Sequence, residues 1–150
     1  MDIHETATLD VPISKVWTSL NDPNVLKLCV PGCQEISVID ETTYSAKAVV
    51  KVGFISSKFN NVVVKKMKAV ENQLLTFEMS GEDANRIGSF KQKLDIKMSE
   101  ITDGSPKTKI EIDATVDLKG KFATLGKRIV EWKAKNVMEE FVENLRKLSK

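Results

Sequence analysis

From Thr43 onward the hydrophobic period of this chain changes once, and that change limits the folds open to it. From Thr43 to Val52 one face carries Tyr44, Ala46, Ala48, Val50 and Val52. Between Leu75 and Gly81 the inner set is Leu75, Phe77 and Met79. From Ser89 to Met98 the inner set is Phe90, Gln92, Leu94, Ile96 and Met98, with Lys91, Lys93, Asp95 and Lys97 opposite. Lys109 to Leu118 alternates the same way through Ile110, Ile112, Ala114, Val116 and Leu118. One dry face and one wet face describe an antiparallel sheet with a covered side. Past Gly120 the period becomes helical through Phe122, Leu125, Ile129, Trp132, Val137, Met138, Phe141, Leu145 and Leu148. A helix of about 27 residues would be roughly 40 Å long, enough to cross a small domain. Arg146, Lys147 and Lys150 in its last turn suit a C-terminal dipole.

Upstream, Met1 to Asp10 reads as a strand, and two short helical patterns follow, split by Asn21-Asp22-Pro23 and stopped by Pro31-Gly32. Ile13, Val16, Trp17 and Leu20 make one apolar face of the first. An Asp-Pro start caps the second well. Helices this short need a large apolar surface to lie on. Strands also fit Gln34 to Ile39 and Phe59 to Ala69, with turns at Asp40-Glu41, Glu71-Asn72 and Asp103-Gly104-Ser105-Pro106. The gaps at Gly53 to Lys58 and Gly81 to Gly88 are longer. The expected fold is α+β: a curved seven-stranded antiparallel sheet around a long C-terminal helix, with two short helices between strands 1 and 2. Residues 1–150 make a single domain.

Lys+Arg of 23 against Asp+Glu of 21 is too balanced for general nucleic-acid binding. No apolar run reaches 18 residues, and the N-terminus has no basic-then-apolar signal, so the chain reads as cytoplasmic. Cys29 and Cys33 do not make a disulfide framework, and nothing near them completes a zinc set. His4 is the only histidine and its parity in the first strand points to solvent, which disfavours a Ser-His or Cys-His relay. No GxGxxG, P-loop or HExxH motif is present. Gly120 and Gly126, flanking the start of the last helix, suit a close approach of helix to sheet. Lys65, Lys66 and Lys68 read as a solvated strand face.

Val16-Trp17, Leu20-Asn21-Asp22-Pro23, Leu26 and Pro31-Gly32-Cys33 resemble the N-terminal signature of the carbon monoxide dehydrogenase CoxG family, within the START-like (SRPBCC) helix-grip superfamily. Val52-Gly53, Lys58-Phe59 and the run from Gly120 to Arg128 fit the same family in order and spacing. Two departures are Asn61, where the family usually has glycine, and the thinning of a glycine-rich segment to Gly81 and Gly88. Many members carry a C-terminal extension linked to membrane attachment, and this sequence stops at Lys150. The resemblance implies a non-catalytic accessory to a molybdenum hydroxylase of the carbon monoxide dehydrogenase type. It also implies a sheet–helix cavity for apolar ligands, lipid- or quinone-like.

On that expectation the cavity is lined by Tyr44, Ala46, Ala48, Phe77, Met79, Phe90, Gln92 and Leu94 from the sheet, and by Leu125, Ile129 and Trp132 from the helix. The alanines leave volume, and Gln92 and Tyr44 are the polar anchors that would orient a carbonyl or hydroxyl. Leu26, Leu28 and Cys29 stand as rim candidates. The segment with Phe54, Ile55 and Phe59 reads either as a lid, or tip for a membrane or partner, or as a plug for the sheet's end. No metal, cofactor or catalytic residue is expected. The partners are a hydrophobic small molecule and, as further candidates, a molybdenum hydroxylase complex and a peripheral membrane contact. Two alternatives remain: an assembly factor with a filled core, and a helix-grip cyclase or hydrolase using Glu5 or Tyr44 as acid or base.

Overall fold

The computed structural model describes residues 1–149; Lys150, expected in the last helical turn, lies outside them. Strand β1 (Asp2–Leu9) leads into helices α1 (Ile13–Leu20) and α2 (Pro23–Cys29). Six strands follow: β2 (Cys33–Asp40), β3 (Thr43–Val52), β4 (Ile55–Val70), β5 (Leu74–Glu82), β6 (Gly88–Ile101) and β7 (Lys107–Gly120). A 3-10 turn at Lys121–Thr124 precedes the long helix α3 (Lys127–Leu148). The strands form one antiparallel sheet in the order β1-β7-β6-β5-β4-β3-β2. This is the expected α+β helix-grip arrangement, a meander closed by β1 against β7. Asp22 caps α2 by accepting from the Asn24 amide at 2.9 Å, with Pro23 at the first helical position.

Three local expectations change. The Gly53 to Lys58 gap is a tight hairpin turn, with β4 running from Ile55, because Gly53 adopts a φ of 57°. Ile55 and Phe59 therefore sit in a strand and plug the sheet's end, leaving only Phe54 exposed. The C-terminal helix begins at Lys127, after an extended pair at Leu125 and Gly126. Gly120, at φ 68°, lets the chain pass where a Cβ would stand 2.6 Å from the Ile87 carbonyl oxygen, whereas Gly126 has open space and allows no close approach. Finally, a register shift in β4 between Phe59 and Val62 puts Val62, Val64 and Lys66 on the inward face. The Lys66 Nζ donates to Asn21 Oδ1 at 2.6 Å and lies 5.9 Å from the Tyr44 ring centre, and burial lowers its pKa.

The covered face holds two separate cores. The larger joins Leu9, Val11, Val16, Leu20, Leu26 and Cys29 to Leu75, Ile96, Ile110 and to Met138, Val142 and Leu145 of α3. The smaller joins Ala46, Phe59, Val62 and Phe122 near the hairpin end. Phe59 makes an edge-on pair with Phe90 at 5.3 Å. Gly81 is the floor that this pair needs, since a Cβ there would meet Phe90 at 2.9 Å.

Candidate functional site: an open trough under the long helix

Between the two cores the inward face of the sheet is not sealed. Met79, Phe90, Gln92, Leu94, Val116 and Leu118 point toward α3 yet remain half-buried. The path of α3 explains this. Among the described residues, its Cα atoms come within 8 Å of β1 and β3, the two flanks, but not of β4, β5, β6 or β7. The helix thus approaches β1 and β3 most closely, and over the middle strands it is its C-terminal half, through Met138, Val142 and Leu145, that joins the core with Leu75, Ile96 and Ile110.

Sequence periodicity within α3 adds a second cause. Met138, Val142 and Leu145 form its buried stripe. Carried toward the N-terminus at 3.6 residues per turn, the stripe continues as Ala134 and Glu131 rather than as large apolar residues. Glu131 is held by Lys127 at 3.7 Å. Trp132 and Ile129 lie about 120° and about 180° around the helix from Met138. They are 68% and 43% exposed. The two residues expected to line the cavity therefore stand on a different face. A trough with an apolar floor and a partly polar roof results.

The expected site residues divide accordingly. Met79, Phe90, Gln92 and Leu94 lie in the trough, and Ala48 is half-buried beside Phe59. Tyr44, Ala46 and Phe77 are buried in the cores. Leu125 and Ile129 meet the β3–β4 turn: a Cβ on Gly53 would be 3.7 Å from Leu125 and 3.8 Å from Ile129. Leu26 and Cys29 are core residues rather than rim, and burial pushes the Cys29 thiol up to about 11. Leu28 is 63% exposed. Phe59, grouped with the lid, is a core residue.

The two polar anchors are not brought together. Tyr44, Val64, Met79, Gln92 and Val116 form one cross-strand row. Three strand spacings, about 14 Å, separate Tyr44 from Gln92. Tyr44 lies under Lys66 near the α1–α2 turn, where burial and then the Asp22 charge raise its pKa. Gln92 alone is a polar group in the trough floor. Glu5 keeps its inward parity beside Ile112 and is half-buried.

Catalytic groups are sparse. His4 faces solvent and pairs with Asp113 at 2.6 Å across β1 and β7. Among the described residues, no group of three or more His, Cys, Asp or Glu could hold a metal ion. The sharpest polar site is structural: buried Asp83 accepts from the buried Ser57 hydroxyl and, at 2.7 Å, from the Asn85 amide. The Ser57 bond is the main reason its carboxyl stays below the usual range, with the Asn85, Ile87 and Lys58 amides helping and burial opposing. Two surface hollows of about 270 and 430 Å³ lie on the opposite face of the sheet, around Lys91–Asp117 and around His4–Asp113. No helix among the described residues is long and apolar enough to cross a membrane.

Solved structures share this architecture. A conserved protein from Geobacillus kaustophilus matches with a TM-score of 0.89 at 19% identity, over 99% of this chain and 95% of its own. A START superfamily protein from Mycobacterium smegmatis matches at 0.74 and 12% identity, over 99% and 96%. A protein from Arthrobacter aurescens matches at 0.70 and 14% identity, over 99% and 85%. These likenesses establish the START-like fold. No curated protein sequence matches the chain. The decisive match is of sequence: over residues 6–148 the chain fits, and so belongs to, the carbon monoxide dehydrogenase CoxG family.

Proposed function

We propose that this protein binds a hydrophobic small molecule, lipid- or quinone-like, in the trough under α3, without catalysing a reaction. The observation that carries the reading is the partly exposed apolar floor of Met79, Phe90, Leu94 and Val116 on the covered face, outside the buried stripe of α3. Such a surface is worth roughly 25 cal/mol per Å² once a ligand removes it from water. The Gln92 carboxamide supplies one polar contact for a carbonyl or hydroxyl. Family membership supports an accessory role beside a carbon monoxide dehydrogenase-type molybdenum hydroxylase. Native mass spectrometry of gently purified protein, followed by solvent extraction, tests the ligand. The expected result is a bound apolar species, or saturable uptake from a panel of quinones and lipids. A homogeneous apo mass with no uptake would refute it.

A second reading concerns contact rather than cargo. Phe54 is fully exposed at the hairpin turn, with Lys51 and Lys58 on the flanking strands. An exposed aromatic among cations suits a peripheral membrane contact or a docking surface on the partner enzyme.

A further inference from the structure

We infer that Lys66 is the head-group site of the trough, and that the ligand it selects is a single-chain amphiphile ending in a carboxylate. The inference rests on the trough being the ligand site. It names the class of ligand and the end of the trough that the head occupies.

Lys66 is a cation on an apolar face. The bulge between Phe59 and Val62 places it inward, and it is half-buried. Alternation puts the other lysines of the described strands on the outer face. Glu5 is the one acid that shares the covered face. The rows of paired residues set Glu5 four strand spacings away, about 19 Å along the sheet.

Its neighbours orient the ammonium without neutralising it. One N–H goes to Asn21 Oδ1 at 2.6 Å, and the Tyr44 ring centre lies 5.9 Å away. An amide oxygen and a ring face carry no net charge. Among the described residues, no ion pair includes Lys66. The nearby Asp22 carboxylate is engaged at the start of α2, where it accepts from the Asn24 amide at 2.9 Å. Burial is accordingly the one cause that lowers the Lys66 pKa. A half-buried cation without a counter-charge is costly, and a bound carboxylate removes that cost. An ammonium has three N–H donors, so donors remain for it.

The apolar floor begins at this lysine. Lys66 pairs with Phe77 and Phe77 with Leu94, so two strand spacings, about 10 Å, lead from Lys66 to the floor. Val64 and Met79, paired one inward position along, are partly exposed. A chain running from Lys66 over Met79 and Leu94 reaches Gln92 after about 12 Å, where a mid-chain carbonyl or hydroxyl would find its carboxamide. A carboxylate suits the head better than a phosphate. A phosphate monoester carries nearly two charges, and here one cation faces it with Asp22 close enough to act on Tyr44.

The test compares one chain with its head charged and with its head blocked. Fluorescence titration of the unaltered protein with dansyl-undecanoic acid and with its methyl ester reads both. The acid should bind at least tenfold tighter than the ester. Lys66→Met should weaken the acid at least tenfold and leave the ester within about twofold, while Lys66→Arg should keep the preference. Lys65→Met, on the exposed face, should change neither. Equal Kd values for acid and ester in the unaltered protein would overturn the inference, and this arm needs no variant to fold. So would a Lys66→Met protein that still prefers the acid, or displacement of the probe by dodecyl phosphate at a lower concentration than by dodecanoate. Failure of acid and ester alike, with N-phenyl-1-naphthylamine still bound, would refute the carboxylate head and keep the trough. Failure of all three would refute the trough as a ligand site, and the inference with it.

Discussion

Replacing Leu145 by alanine tests the claim that α3 joins the core through its C-terminal half. Leu145 is fully buried, at 0% exposure, against α1, β1 and the sheet. Removing three carbons forfeits about 2.4 kcal/mol of transfer free energy at about 0.8 per carbon. A cavity term adds to this. Collapse into the cavity is limited, because the bonds of Asn144, Arg146 and Ser149 hold the backbone on both sides. The sum is about 3–4 kcal/mol. For a domain of this size each kcal/mol shifts Tm by about 2–4 °C, so Tm should fall by about 6–16 °C. Trp132→Ala is the internal control. A large aromatic in a core would cost as much or more, but at 68% exposure it should change stability by no more than about 0.5 kcal/mol. Thermal melts followed by circular dichroism, with urea melts to check that m is unchanged, read both. Equal losses for the two variants would refute the reasoning, since Trp132 would then be packed against the sheet and the trough closed.

Asp83→Asn should destabilise most at neutral pH. The native carboxyl titrates below its unfolded value, so its contribution is present above about pH 4 and lost as pH falls through the lower native value; urea melts at pH 7, 4 and 3 should show the gap to wild type narrowing. Gly120→Ala should cost at least about 2 kcal/mol, because φ is positive and the new Cβ would lie 2.6 Å from a carbonyl oxygen, while Gly126→Ala, in open space at φ −63°, should be neutral or stabilising by up to about 1 kcal/mol. Chemical denaturation of the pair reads the contrast. Gln92→Leu should weaken binding of a ketone or alcohol ligand by about 1 kcal/mol while leaving the matched hydrocarbon unaffected, measured by calorimetric titration. Phe54→Asp should reduce co-sedimentation with anionic vesicles without lowering Tm, and unchanged sedimentation would remove the hairpin turn as a membrane contact.

The alternation of Phe90, Gln92, Leu94, Ile96 and Met98 was enough to predict β6 and its inward face, because side-chain direction in a strand has a period of two whatever it packs against. The same rule placed His4 outward and Glu5 inward. It failed at Lys66, because an extra residue between Phe59 and Val62 reverses parity along β4 and no local signal marks the bulge. It also could not separate Phe59, a core residue, from Phe54, a fully exposed one, since one stood in an apparently long gap and the other at its edge. Apolar spacing placed Ile129 and Trp132 in a helix but not on its buried stripe. Which stripe is buried depends on what the helix meets, and the buried stripe of α3 lies along its C-terminal half.

By itself, then, the sequence determined the inventory and the faces: two short helices, the second capped by Asp22, seven alternating strands, one long helix, and membership of a family written in its motifs. These follow from local chain geometry, proline and glycine chemistry, and the need to cover one dry face. Only the tertiary structure decided whether that face is fully covered. The answer depends on α3 being anchored through its C-terminal half, which leaves the polar Glu131 where the buried stripe would continue. That anchoring is a relation between elements far apart in the chain, and no local pattern encodes it.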